Sequence, residues 1–158
     1  MDNSKSKGAD VWFFPPYLLF ASLIISVSLE LFIYPLKILS GTSLQLIVGT
    51  LIIAASFINF FYAFRLFKDH EENPHPKSRT TQLFTGGPYQ YSRNPIYLSF
   101  VILLLGCGCA FNSLWYIYFA ITNFILLHYG IILPEEKYLE KEIGLVYLDY
   151  KKSVRRWL

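Results

Sequence analysis

Arginine, asparagine, three tyrosines, two glycines and two prolines crowd the stretch GGPYQYSRNPIYLSF at residues 86–100, and a glutamate pair, Glu135 and Glu136, follows a long apolar run further on. Carboxylates, aromatic faces and a guanidinium are groups that hold a charged small molecule. The residue types that build metal or covalent chemistry are not arranged for it. His70, His75 and His128 stand at no ligand-like spacing, and Cys107 and Cys109 are two residues apart, neither a redox nor a zinc pattern. Beside Gly106 and Gly108 these cysteines read as small packing residues of an apolar helix. No metal is expected, and a net charge of +3 over 158 residues gives no reason to expect nucleic acid.

Taken one at a time, the polar residues have plainer explanations. Tyrosines at a membrane boundary are commonly belt residues, and Arg93 has the reach to snorkel to headgroups. Glu135 and Glu136 suit the positive end of a helix whose first turn holds Pro134. Asn94 before Pro95 reads as an N-cap, and Gly86-Gly87-Pro88 as a turn. Those readings do not explain why the whole set gathers at one level of the chain.

What must position the set is a bundle of membrane-spanning helices. The chain is 54% hydrophobic and 16% charged, with a mean hydropathy of +0.38, whereas soluble domains are about a quarter charged. A span needs roughly 20 mostly apolar residues, and four runs meet or approach that, at 16–34, 43–67, 96–111 and 113–133. The first exceeds the roughly 7–15-residue core of a signal peptide and is expected to be retained. Asn112 and its neighbours alone separate the last two, which predicts a tight antiparallel hairpin. The expected fold class is all-α, a polytopic membrane protein of four transmembrane helices forming a single domain over 1–158.

Four spans put the N-terminus, the loop 68–95 and the tail 134–158 on one side. With them lie thirteen of the fourteen basic residues, including Lys5 and Lys7, Lys77, Arg79 and Arg93, and six in the tail; Lys37 alone lies opposite. The positive-inside rule then predicts cytosolic termini. Since the other side offers only two short turns, polar chemistry is expected in the loop and tail. In the tail, Leu139, Ile143, Val146 and Tyr150 recur at helical steps, which predicts amphipathic helices broken near Gly144. Lys151, Lys152, Arg155, Arg156 and Trp157 read as an anchor on anionic lipid. Glu30, near the outer end of the first span, is expected to snorkel or to pair with Lys37, away from the site.

The sequence LFTGGPYQYSRNPIYLS, the glutamate pair after the helical hairpin, and then GLVYLDYKKSVRRW together resemble the isoprenylcysteine carboxyl methyltransferase family, whose wider group includes phospholipid N-methyltransferases. The likeness covers about residues 79–158. It implies a small integral-membrane enzyme that uses S-adenosylmethionine and a lipophilic acceptor drawn from the bilayer. By position it implies a cofactor shell of Leu83, Tyr89, Asn94, Pro95, Ile96, Tyr97 and Glu135, with Arg93 and Glu136 in adjoining motif positions. His128, about two helical turns before Glu135, and Asn123 further in are candidates to line the acceptor cavity or to hydrogen-bond between helices. Methyl transfer from a sulfonium is an in-line displacement from an activated donor, so alignment is most of what the enzyme supplies.

Two positions depart from the family's pattern. Asn94 stands where histidine is common, and asparagine does not titrate near neutral pH. Ile131 stands four residues ahead of Glu135, where the eukaryotic prenylcysteine enzymes carry an arginine suited to a substrate carboxylate. The first choice of reaction is carboxyl O-methylation of an isoprenylcysteine-like substrate, and the alternative is N-methylation of a lipid amine. A nicotinamide-dependent protein similar to the sterol reductases and a non-enzymatic membrane protein are the remaining readings.

Overall fold

The computed structural model describes residues 8–38, 41–78, 80 and 82–158. Lys5, Lys7 and Arg79, which entered the charge count, lie outside the described residues. Among the described residues every regular element is helical, apart from one isolated bridge between Lys37 and Ser113. The expected all-α class holds.

Helix α1 spans Pro15–Ser28 and runs on through a π turn at Leu29–Ile33; its prolines sit in the first turn, where a missing N–H is no loss. Helix α2, Ser43–Asp69, opens on a reciprocal cap in which Thr42 and Gln45 exchange side-chain and backbone hydrogen bonds. Its 27 residues reach about 40 Å, ample for a hydrocarbon core of about 30 Å. Helix α3, Pro95–Ala110, is shorter at 16 residues, about 24 Å. Helices α4 (Leu114–Leu127) and α5 (Leu133–Glu142) are joined by a π turn at His128–Ile132, and α6 spans Leu145–Ser153. By length and apolarity α1 with its π turn, α2 and the continuous α4–α5 rod can cross a membrane, and α3 is a shorter apolar helix.

Helix α3 packs against α2 along its length and turns back into α4. A Cβ on Gly106 would lie 2.9 Å from the Ile53 side chain, so only glycine permits this approach of α3 to α2. Cys107 is buried beside it with a free thiol, as packing residues should be. Asn59 of α2 donates to the Pro95 carbonyl at 2.9 Å and to Ser99 Oγ at 2.7 Å, pinning the start of α3. Asn123 of α4, fully buried, donates to Ser22 of α1 at 2.6 Å.

The bundle has two unlike ends. At one, the turn after α1 meets the α3–α4 hairpin: the Leu114 N–H donates to the Leu36 carbonyl at 2.8 Å and the Ile38 N–H to Asn112 Oδ1 at 3.2 Å. At the other gather the N-terminal segment, the α2–α3 loop and the tail. There Ala9 N–H donates to the Pro76 carbonyl at 2.9 Å, and Arg93 N–H to the Arg155 carbonyl at 3.0 Å. Trp12 N–H donates to the Gly130 carbonyl at 3.1 Å. That carbonyl lies four residues before Pro134, whose missing N–H would otherwise have been its helical partner.

One expectation is corrected here. No helix begins at Pro134; the rod runs through it from α4 to α5, so Glu135 and Glu136 do not face the unpaired N–H groups of a free helix start. The dipole therefore does not account for the pair.

Candidate functional site

The loop end of the bundle encloses a chamber of about 140 Å³ lined by both polar and apolar side chains. Its walls come from four places. The α2–α3 loop supplies Asn73 to Pro76 and Leu83, the short helical turn Gly87–Gln90 supplies Tyr89, the start of α3 supplies Arg93, Asn94, Ile96 and Tyr97, and α5 with α6 supply Glu135, Glu136, Tyr138, Tyr147 and Tyr150. Residues more than sixty positions apart meet here because α3 and α5 start at the same level and α6 folds back over both. Gly144, at φ +68°, makes that reversal between α5 and α6, in a conformation only glycine adopts without strain.

The two glutamates lie in opposite electrostatic settings. Glu136 is buried and met on every side. Arg156 approaches it with Nε on Oε1 and Nη2 on Oε2, both at 2.8 Å, and Arg93 Nη2 reaches Oε1 at 3.0 Å. Lys151 stands at 3.9 Å. The Glu136 and Arg93 side chains are 6% and 8% exposed, so this is an internal ion cluster that ties α3, α5 and the tail together. Glu135, its neighbour, has one hydrogen bond, accepted from the Tyr97 hydroxyl at 2.7 Å, and no cation against it among the described residues. A carboxylate in a partly buried chamber with a single neutral partner is a costly arrangement that either a proton or a bound ligand can relieve.

Aromatic hydroxyls close the remaining walls. Tyr150 donates to the Tyr89 carbonyl at 2.6 Å, and Tyr138 Oη accepts from the Thr80 N–H at 3.2 Å. Burial pushes the Tyr150 phenol up to about 12 against the opposing charge of Arg93. Burial raises Tyr89 and Tyr147 well above the ordinary tyrosine value as well, with Glu135 adding to the shift at Tyr89 and Glu136 to that at Tyr147. All three therefore stay neutral hydroxyls near neutral pH, able to donate or present a ring face but not to act as bases.

A second cavity, about 540 Å³ and nearly all apolar, runs between α1, α2 and α3. Leu19, Leu23, Phe57, Phe60, Phe100 and Leu103 are among its walls. It shares Asn73, Pro74, His75, Pro76, Ile96 and Tyr97 with the chamber, so the two meet along a seam. This is the geometry for bringing a polar molecule and an apolar one together at one point.

Eight of the nine residues singled out for a cofactor line the chamber: Leu83, Tyr89, Arg93, Asn94, Ile96, Tyr97, Glu135 and Glu136. Pro95 does not; it is buried at the start of α3, with its carbonyl taken by Asn59 and Ser99. Asn94 is no side-chain cap, since its amide donates to the Arg156 carbonyl at 2.9 Å. His128 lies in neither cavity. Its ring accepts from Trp157 Nε1 at 3.3 Å and faces Arg156 at 3.4 Å, which makes it an interhelical contact for the tail rather than an acceptor-lining residue. Arg156 and Trp157 turn inward too, Trp157 stacking on Phe124 at 4.7 Å, so of the basic anchor only Lys152 and Arg155 stay exposed.

Sequence reasoning missed the Asn73–Pro76 segment, Tyr138 and the roles of Tyr147 and Tyr150. The last two had a signal, the Gly-x-x-Tyr-x-x-Tyr element, but no assigned position. The family model described as phospholipid methyltransferase matches residues 44–144, from the start of α2 to the α5–α6 turn. No curated protein and no solved structure matches the chain.

Proposed function

This chain belongs to the phospholipid methyltransferase family and is a membrane methyltransferase, and from that premise we propose that it moves a methyl group from S-adenosylmethionine to a lipophilic acceptor at the seam between chamber and groove. The observation that carries the reading is the single-partner carboxylate of Glu135, opening on a chamber that shares six lining residues with an apolar groove. When bound, S-adenosylmethionine supplies a methyl group already activated on a sulfonium. The chain's part is to hold and align.

Glu135 takes the amine or the ribose hydroxyls, and Tyr97 keeps its carboxylate aimed. Tyr89, Tyr147 and Tyr150 offer ring faces to the cationic end. Arg93 and Glu136 act one step back: their ion cluster with Arg156 fixes the start of α3 against α5, and so the spacing between Tyr97 and Glu135. Ile96 and the prolines of the loop shield the seam from water. The acceptor's hydrocarbon lies in the groove, and its head reaches the seam within near-attack distance of the methyl.

In this reading the whole of 1–158 works as one domain, and the end holding the chamber faces the cytosol, where the basic residues of loop and tail collect. The acceptor atom we put first is a carboxylate oxygen of an isoprenylcysteine-like molecule. The second reading is N-methylation of a phospholipid amine, which is equally consistent with membership of the phospholipid methyltransferase family. Methyl-labelled cofactor incubated with the protein and a membrane lipid extract separates them: a base-labile labelled product is an ester, a base-stable one an amine. No transfer at all, with no saturable binding of S-adenosylhomocysteine, removes the reading.

A further inference from the structure

We propose that His75 binds the acceptor's polar head, donating from Nε2 to an anionic oxygen at the seam; the proposal rests on the methyl-transfer reading above. Of the six residues shared by chamber and groove, three carry polar side chains: Asn73, His75 and Tyr97. The Tyr97 hydroxyl is committed to Glu135, and Asn73 Oδ1 accepts the His75 backbone N–H at 2.9 Å. His75 Nε2 is the ring nitrogen that no described residue engages.

Everything else about this ring is fixed. It stacks on Phe14 of the N-terminal segment with centroids 4.8 Å apart and planes 10° from parallel. Its Nδ1 accepts the Lys77 N–H at 3.1 Å, and its carbonyl accepts the Ser78 N–H at 2.8 Å. The turn is clamped in its own right by the bonds from Gly8 to Lys77 and from Ala9 to Pro76. A backbone donor on Nδ1 settles the tautomer: the neutral ring carries its proton on Nε2. The unengaged nitrogen of this seam residue is thus a held N–H, not a lone pair.

A held donor recognises oxygen. An amine nucleophile gains nothing from it, whereas a carboxylate held by one oxygen leaves the other to attack the methyl. A phosphate one or two bonds from a lipid amine would be held in the same way. No Lys or Arg among the described residues lines both cavities, so an anionic head at the seam has no such side chain to meet there. Arg93 lines the chamber but not the groove; its Nη2 is on Glu136, while its Nε and Nη1 are buried without a partner among the described residues and serve the chamber rather than the seam. The shared ligand chemistry is therefore an anionic oxygen close to the reacting atom.

The test uses the purified full chain in lipid nanodiscs with methyl-labelled cofactor and three titrated acceptors: an N-acetylated prenylcysteine, phosphatidylethanolamine and a membrane lipid extract. His75→Asn keeps an acceptor for the Lys77 N–H, His75→Phe keeps the stack on Phe14, and neither retains Nε2–H. With whichever acceptor the wild-type chain methylates, both variants should need about tenfold more for half-saturation, while S-adenosylhomocysteine affinity stays within about twofold. His75→Gln should recover part of the loss, and the responding acceptor tells carboxylate from phosphate. Unmoved acceptor saturation in both variants overturns the proposal alone, as does an equal loss of cofactor affinity. A wild-type chain that neither binds S-adenosylhomocysteine nor transfers methyl overturns the methyl-transfer reading as well.

Discussion

Glu30 and Glu135 stand at opposite ends of the bundle, each in or beside a π turn of a long apolar helix. At the far end Glu30 is met by the Lys37 ammonium and accepts from Ser113 Oγ at 2.7 Å, so the two short turns are stitched together by a charge the chain itself neutralises. At the loop end Glu135 has the Tyr97 hydroxyl and nothing of opposite sign among the described residues. Its neighbour Glu136 proves that the same helix can gather cations when structure requires it. The chain neutralises Glu30 itself and leaves Glu135 with a single neutral partner, and the cofactor role proposed for Glu135 rests on that contrast.

The contrast can be broken first at Glu136. Glu136→Gln leaves Arg93 and Arg156 without their anion, and removing one partner of a buried cluster typically costs about 3–5 kcal/mol. Thermal unfolding in detergent should fall by many degrees, with little protein recovered. Glu135→Gln is the next largest effect and of a different kind. The fold should be kept, with an unfolding midpoint close to the wild type, while S-adenosylhomocysteine binds about 100-fold more weakly, the scale of a lost charged hydrogen-bond site. Tyr97→Phe only frees the carboxylate to swing, and a loss of about fivefold in the same titration is expected. Leu103→Trp fills part of the apolar groove and should raise the acceptor concentration for half-saturation with the cofactor titration unmoved. Glu30→Gln is the smallest: no measurable change in cofactor binding, and only a modest drop in unfolding temperature.

Much of this arrangement was legible beforehand, and the parts that were not have physical reasons. Helix positions followed from apolar runs of near-bilayer length, and the gathering of loop and tail at one end followed from an even number of crossings. Glu30 with Lys37 was readable because the partners are seven residues apart around one turn. Glu136 with Arg156 was not, because a separation of 20 residues carries no periodic signal once a chain reversal intervenes. That reversal falls at Gly144, where the sequence places the break between two tail helices, and of Leu139, Ile143, Val146 and Tyr150 only Val146 leaves the inward face. A glycine in the left-handed region resets the register, so Val146 is 64% exposed while Tyr147 and Tyr150 turn inward. The Asn73–Pro76 segment borders both cavities, yet in sequence it looks like any proline-rich loop; its place depends on backbone bonds to Gly8 and Ala9 that no side chain announces.

Isothermal titration of S-adenosylhomocysteine into the wild-type chain and the Glu135→Gln and Glu30→Gln variants goes directly to the difference between the two ends. The account predicts saturable binding to the wild type, the same affinity for Glu30→Gln, and about 100-fold weaker binding for Glu135→Gln. Equal affinities across all three, or saturable binding of a nicotinamide dinucleotide in place of S-adenosylhomocysteine, would contradict it.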